Sequence, residues 1–110
     1  MVKQTAGRDL LGDFAPKFAH LNDDVLFGEV WSDDNLSQRD RSFATVTALI
    51  SMGAFEQLNY HMQKAKENGI SKEEMSTLIT HIAFYVGWPK AWSAFNIAKK
   101  NISIKKIYTK

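Results

Sequence analysis

The segment from Ser71 to Val86 constrains the fold of this chain most, because it carries a complete helix signature. Ser71 and Glu74 have the S-x-x-E spacing of a capping box, in which each side chain accepts a hydrogen bond from the backbone N–H of the other residue. The apolar residues that follow recur at the spacing of one helix face, and they are Met75, Leu78, Ile79, Ile82 and Val86. The sequence therefore predicts a helix that begins after Ser71 and ends at Gly87.

The rest of the chain is also divided into pieces of helical length. The two prolines and six glycines separate these pieces, and no strand-like alternation reaches six residues before the tail. The pattern predicts helices at 25–31, from residue 37 to Gly53, at 54–68 and from 89 to 100, and two short turns or a kinked helix at 10–21. Asp23 is expected to cap the helix at 25–31, whose apolar residues point in every direction and predict burial on most sides.

The predicted fold class is therefore all-α, a single-domain helical bundle of about six helices over residues 1–110. Residues 101–110 form a C-terminal tail in which isoleucines alternate with lysines, and an extended arm is expected there. Seven Phe, three Trp and three Tyr are many for 110 residues. Because a small bundle cannot bury them all, we expect some of them in a subunit interface.

Composition excludes several classes of function. The absence of cysteine removes disulfides, cysteine-based metal sites and thiol catalysis. The net charge of +2 comes with interleaved signs, so no nucleic-acid partner is expected. The three histidines show no close ligand spacing, which predicts no metal site, and no glycine-rich phosphate loop is present. No apolar run is long enough for a membrane span and no signal peptide is apparent, so a cytoplasmic location is expected.

Glu29 and His61 are the two candidate acid–base residues. Glu29 is the lone carboxylate within 25–31 and shares a face with apolar neighbours, which would desolvate it and raise its pKa. The alternative is that the helix end is open to water and that Glu29 pairs with an arginine. His61 lies at the border of the apolar stripe of 54–68, where it either reaches a cleft or makes a structural hydrogen bond.

Arg39 and a group of aromatic residues are candidates for ligand binding. Arg39 shares a helix face with Phe43 and can clamp a carboxylate with two parallel hydrogen bonds, whereas Arg41 points roughly opposite. The alternative for Arg39 is a salt bridge to Glu29 or Asp40. An aromatic ridge follows His81, and it consists of Phe84, Tyr85 and Trp88. The ridge either walls a pocket for a planar ligand or covers a stacked, buried histidine.

Four sequence runs together resemble one known family. They are D-V-L-F-G-E-V-W at 24–31, L-S-Q-R-D-R-S at 36–42, H-M-Q-K-A-K-E-N-G at 61–69 and H-I-A-F-Y-V-G-W-P at 81–89. In this order and with nearly this spacing, they are similar to the carboxymuconolactone decarboxylase family over about residues 23–100. The resemblance implies the alkylhydroperoxidase D-like helical fold and a ring-forming homo-oligomer, often a hexamer built as a trimer of dimers.

A sister branch of that family, the alkylhydroperoxidase D type, has a C-x-x-C motif that three intervening residues separate from the histidine. Counting back from His61 puts Ala54 and Gln57 at the two cysteine positions, and Ser42 at the position of a relay glutamate. Thiol peroxidase activity is therefore excluded.

The resemblance implies functional roles for a small set of residues. They are Glu29, Arg39, Arg41, His61 and His81. Together with the aromatic ridge, this set gives Glu29 and His61 as predicted catalytic residues, and Arg39, Arg41, His81, Tyr85 and Trp88 as predicted substrate-binding residues. The implied activity is a carboxy-lyase reaction of aromatic catabolism on a small anionic lactone, without a cofactor. The alternative is a non-catalytic ligand-binding or scaffold oligomer of the same fold. If the acid–base pair is real, Glu29 and His61 are expected to converge within hydrogen-bonding reach or one water, in one chain or across subunits.

Overall fold

The structure is a computed structural model that describes residues 3–102, and the tail at 103–110 lies outside the described residues. Its elements are α1 (Ala6–Leu11), α2 (Pro16–His20), a π-helical segment (Leu21–Val30), α3 (Gln38–Met52), α4 (Phe55–Glu67), α5 (Lys72–Val86) and α6 (Trp88–Asn101). Residues 3–102 contain helices, turns and bends but no strand. The prediction of an all-α fold is confirmed.

The helix boundaries in the second half of the chain follow the predicted breaks. Gly53, Gly69 and Gly87 stand directly after or within two residues of the ends of α3, α4 and α5, with φ angles of 73°, 93° and 105°. Residues with side chains rarely adopt these left-handed angles, so glycine ends each helix at little cost. Pro89 lies in the first turn of α6, where its missing N–H has no helical partner to lose.

The chain divides into two compact units, of which the second begins at Arg39 and contains α3 to α6. α6 packs against both α4 and α5. The core of this unit is formed by apolar residues from all four helices, and the most deeply buried are Val46, Ile50, Leu58, Met62, Met75, Ile79 and Ala94. A single folding domain over residues 1–110 stays a prediction.

α5 begins with the predicted capping box. The Ser71 hydroxyl accepts a hydrogen bond from the Glu74 backbone N–H at 3.0 Å, and the Glu74 carboxylate accepts one from the Ser71 backbone N–H at 2.9 Å. Two N–H groups that the helix itself leaves without partners are satisfied in this way.

The first compact unit ends at Gln38 and is organised around the buried carboxylate of Asp23. One carboxylate oxygen accepts a hydrogen bond from the Gly7 N–H at 2.8 Å and the other accepts one from the Arg8 N–H at 2.9 Å. A methyl group at Gly7 would lie 2.7 Å from Asp23 Oδ1, so only glycine permits this approach. The prediction that Asp23 caps the helix following it is wrong, because its carboxylate holds the beginning of α1.

The helix predicted at 25–31 is longer and wound differently. It begins at Leu21 and has π-helical winding, with the Trp31 N–H donating to the Leu26 carbonyl five residues earlier at 2.9 Å. Trp31 is buried, whereas Leu26 and Val30 are exposed. The prediction of burial on most sides is therefore wrong for the single chain, in which apolar side chains on more than one side of this segment reach the surface.

Removing the Ser71 hydroxyl should test the cap of α5. Ser71→Ala leaves the Glu74 N–H without its acceptor and is expected to lower the free energy of unfolding by about 1 kcal/mol. Ser71→Thr keeps a hydroxyl at the same position and should remain within about 0.5 kcal/mol of the parent protein. Urea unfolding followed by circular dichroism measures both values. Equal stability of all three proteins would contradict a role for the cap.

Acid should weaken the first unit through Asp24. The guanidinium of Arg8 and the imidazole of His20 donate hydrogen bonds to Asp24 and lower the pKa of its carboxyl group to about 2. Since this pKa is lower in the folded chain than the ordinary value of 3.8, the stabilisation is present above pH 3.8 and is lost as the pH falls toward 2. Asp24→Asn should flatten this part of the stability profile, measured by urea unfolding at each pH. Parallel profiles for the two proteins would refute the assignment.

Candidate functional site

An open cleft of about 500 Å³ lies between α3 and α5. Phe43 contributes from α3, and one face of α5 contributes Glu73, Glu74, Thr77, Leu78 and His81. This face differs from the one that carries the core residues Met75 and Ile79. One side of α5 therefore contributes residues to the core, and another side lines an accessible cleft.

Arg39, in the first turn of α3, lies beside this cleft because both of its partners line it. Its Nη2 atom donates to the Glu74 carboxylate, and its guanidinium carbon lies 5.2 Å from the centre of the Phe43 ring. A guanidinium over an aromatic face is attracted by the ring quadrupole. The sequence-based alternative of a salt bridge to Glu29 or Asp40 named other partners, and the ion pair that forms is with Glu74.

Glu74 remains ionised in this arrangement. The Ser71 backbone N–H and then the Arg39 guanidinium lower the pKa of the Glu74 carboxyl group, and these effects outweigh its partial desolvation. An ionised carboxylate and a guanidinium therefore face each other at the edge of the cleft.

His81 and Tyr85 lie one helical turn apart on α5, with ring centres 5.2 Å apart. Both side chains are exposed, and Tyr85 is 78% accessible to solvent. The alternative in which His81 is stacked and buried is therefore wrong for the single chain. Both polar groups are accessible to a small molecule in or beside the cleft.

His61 lies on α4 and is half-buried, with its Nδ1 atom inaccessible to solvent. Its ring contacts the neighbouring Tyr60 ring edge-on, with centres 4.9 Å apart. Burial and then the positive charge of Lys64 lower the pKa of the His61 imidazole. His61 is consequently neutral at neutral pH, which is the form that can both donate and accept a hydrogen bond.

The remaining predicted site residues lie elsewhere. Glu29 belongs to the first compact unit and is exposed in the single chain, which fits the helix end open to water, but among the described residues no arginine pairs with it. Arg41 is half-buried on α3. Trp88 is exposed, and its ring packs edge-on against that of Phe84, with ring centres 5.9 Å apart. Trp88 also lines a small apolar pocket together with Trp92.

The structure therefore brings together part of the predicted set. Arg39 lies beside the α3–α5 cleft through its contacts with Glu74 and Phe43, and His81 lines the same cleft with Tyr85 next to it. His61 and Arg41 are not among the residues that line it. The convergence of Glu29 with His61 stays a prediction.

Sequence reasoning missed the cleft roles of Glu73, Glu74 and Phe43. Glu74 was assigned only to the capping box, and Phe43 only to the core face. The signal that identifies them is the spacing of four residues between Arg39 and Phe43 and between Glu73 and Thr77, which puts each pair on one helix face.

Ser42, at the position of the relay glutamate in the cysteine-containing branch, is fully buried. Its hydroxyl accepts a hydrogen bond from the Asn68 side-chain amide at 2.9 Å, which connects α3 to the end of α4. A buried hydroxyl with this partner stabilises the packing of two elements and supplies no carboxylate for proton relay.

Within residues 3–102, no three side chains of the metal-binding types are grouped as ligands for an ion. In the same part of the chain, no helix is both long and apolar enough to cross a membrane.

Comparison with known proteins identifies the family. The sequence profile of the carboxymuconolactone decarboxylase family matches residues 16–100. The chain belongs to this family, which confirms the resemblance derived from its sequence runs and agrees with the all-α fold.

Two similar proteins carry decarboxylase names. A protein from Acinetobacter baylyi named 4-carboxymuconolactone decarboxylase is 32% identical over 90 residues, which cover 82% of this chain and 67% of the relative. A protein from Metarhizium robertsii named nitrosuccinic acid decarboxylase is 30% identical over 77 residues, or 70% of this chain. The aligned part is 54% of the second relative, so this chain matches about half of its length.

Lowering the pH should decrease the free energy of unfolding through the half-buried imidazole of His61. Because its pKa in the folded chain lies below the ordinary 6.5, the unfolded chain takes up the proton first as the pH falls. The free energy of unfolding should therefore be fully retained above about pH 6.5 and decrease as the pH falls below it. Urea unfolding between about pH 8 and pH 5 measures this slope.

Two variants separate His61 from the exposed histidine of α5. His61→Gln should reduce the slope, whereas His81→Gln, at an exposed histidine, should keep it. A slope that is unchanged in His61→Gln and lost in His81→Gln would show that the wrong imidazole has been assigned.

Proposed function

We propose that this protein catalyses the decarboxylation of a small organic acid whose departing CO2 leaves an electron pair on a conjugated acceptor group. The first substrate to test is 4-carboxymuconolactone. Membership of the family and the decarboxylase names of two relatives support the reaction class. The observation that carries the proposal for this chain is the Arg39 guanidinium fixed beside a cleft that also exposes His81.

The chemistry of the two named substrates has a common element. Loss of CO2 from the carboxylated lactone leaves an electron pair that passes through the ring double bond to the carbonyl oxygen. Loss of CO2 beside the nitro group of nitrosuccinate leaves an electron pair that passes to the nitro oxygens. Both reactions therefore need an anchor for a carboxylate, a donor near the new oxyanion and a proton for carbon.

Arg39 is the proposed carboxylate anchor, with Arg41 as a second cation on the same helix. A guanidinium binds a carboxylate through two parallel N–H donors and orients it as well as attracting it. The His81 imidazole and the Tyr85 hydroxyl are proposed as hydrogen-bonding groups for the rest of the substrate, and the exposed ring of Trp88 as an apolar wall.

His61 is the proposed proton donor, with Glu29 as its partner or as the second acid–base group. In the proposed reaction the bond between the ring carbon and the carboxylate breaks and CO2 departs. The electron pair moves to the carbonyl oxygen of the lactone. A proton is then delivered to a ring carbon to give the enol-lactone. No oxidant, reductant or cofactor is needed for this balance. The half-buried position of His61 on α4 supports its role as a positioned acid–base group. Because burial lowers the pKa of its imidazole, His61 takes up a proton from Glu29 or from solvent in each turnover before it delivers one to carbon.

The second candidate is a non-catalytic ligand-binding or scaffold oligomer. The observation that favours it is the exposed aromatic surface on α5 and α6, which includes Phe84, Tyr85, Trp88 and Trp92. Apolar surface of this kind marks an interaction site, and a symmetric trimer or hexamer is proposed to cover it. Assembly is compatible with catalysis, so turnover distinguishes the two candidates and oligomeric state does not.

An assay with pure protein and 4-carboxymuconolactone tests the proposal. The wild type should consume the lactone, followed by ultraviolet absorbance, with release of CO2. His61→Gln should lower kcat by roughly 10²- to 10⁴-fold, which is the usual contribution of a positioned acid or base. Arg39→Ala should raise KM by roughly ten- to a hundredfold, because it removes a charged hydrogen-bonding partner of the substrate.

Lys66→Ala is the matched control, since it removes an exposed cation on α4 outside the cleft and should leave both constants unchanged. A wild type without turnover above the uncatalysed rate would show that the substrate is wrong. Unchanged kcat in His61→Gln would remove His61 from the mechanism while leaving the reaction class intact.

A further inference from the structure

We propose that Glu74 is a positioning residue, which orients Arg39 to receive the carboxylate of the substrate. This inference rests on the proposed function, since it assigns Arg39 the role of anchor. It gives one side chain two tasks, because Glu74 also completes the cap of α5.

Each oxygen of the Glu74 carboxylate makes one of these two contacts. Oε1 accepts the Ser71 backbone N–H at 2.9 Å, and Oε2 accepts from Nη2 of Arg39. An ordinary surface ion pair is weak because both long side chains must be immobilised. Here one partner is already immobilised by the cap, so the pair restricts Arg39 at a smaller entropic cost.

Phe43 restricts the guanidinium in a second direction. The Cζ atom of Arg39 lies over the Phe43 ring, 5.2 Å from its centre, while Glu74 contacts Nη2 alone. A guanidinium has five N–H donors spread along its edges. Nη2 carries two N–H groups, and Glu74 binds one of them. The second N–H of Nη2, paired with the neighbouring N–H of Nη1 or Nε, leaves one two-donor edge for an incoming carboxylate.

Charge alone predicts the opposite role for Glu74. A carboxylate in an anion-binding cleft repels the substrate, and removing it should then strengthen binding. Glu73 provides the comparison, because it is the adjacent residue on α5 and lines the same cleft, but no ion pair joins it to Arg39. The sign of the effect on KM therefore separates positioning from simple repulsion.

The test compares Glu74→Gln with Glu73→Gln in the decarboxylation assay. Glutamine also serves in a capping box, so Glu74→Gln should keep the unfolding free energy near that of the wild type. It should raise KM by roughly two- to fivefold, the range expected for a weakened orienting ion pair, and change kcat less than about twofold. Glu73→Gln removes the same charge and should leave KM unchanged or lower it.

The double variant shows whether Glu74 acts through Arg39. In an Arg39→Ala background, Glu74→Gln should have no further effect on KM, because the group that it orients is gone. The proposal is overturned if Glu74→Gln lowers KM as Glu73→Gln does, or if it raises KM equally with and without Arg39.

Calorimetry with a non-reactive probe separates this proposal from the proposed function. The probe is the saturated form of the carboxylated lactone, which cannot delocalise the electron pair. If the wild type binds the probe without turning over the lactone, only the proposed reaction fails. The Kd values for the probe then decide the role of Glu74: Glu74→Gln should raise Kd, whereas Glu73→Gln should not. A wild type that neither turns over the lactone nor binds the probe overturns both.

Discussion

The register of α5 is set at its first turn, and the second compact unit depends on it. The reciprocal hydrogen bonds of Ser71 and Glu74 fix where the helix begins. From that point a period of 3.6 residues sends Met75 and Ile79 into the core and turns Glu73, Thr77 and His81 toward the cleft. A shift of one residue would rotate the helix by about 100° and mix the two faces.

Sequence reasoning predicted this part of the fold well because its signals are local. Caps, left-handed glycines and apolar spacing act within one helix, so α3 to α6 follow from the residues that compose them. The cleft was predicted less completely because it is formed between helices. Arg39 and His81 were identified one helix at a time, whereas the ion pair of Arg39 with Glu74 depends on how α3 packs beside α5. No pattern within a single segment specifies that contact.

The first compact unit shows a different limit. The buried carboxylate of Asp23 accepts N–H groups from residues about fifteen positions earlier, so its role is invisible to a search for local caps. The π-helical winding from Leu21 to Val30 changes the angle between successive residues, and a helical wheel then assigns residues to the wrong face. Leu26 and Val30 are exposed in the single chain, although their segment is strongly apolar.

The residues that replace the thiol chemistry of the sister branch also limit the chemistry available to this protein. Ala54 and Gln57 offer no nucleophile, and Ser42 is committed to a buried hydrogen bond with Asn68. What remains is the Arg39 guanidinium beside the cleft, the half-buried His61 imidazole on α4 and ordinary hydrogen-bond donors. These groups cannot exchange electrons, but they can hold a carboxylate, stabilise a charge on oxygen and move a proton. Decarboxylation of an acid that carries its own electron acceptor needs no more, since the substrate supplies the acceptor and the protein supplies orientation.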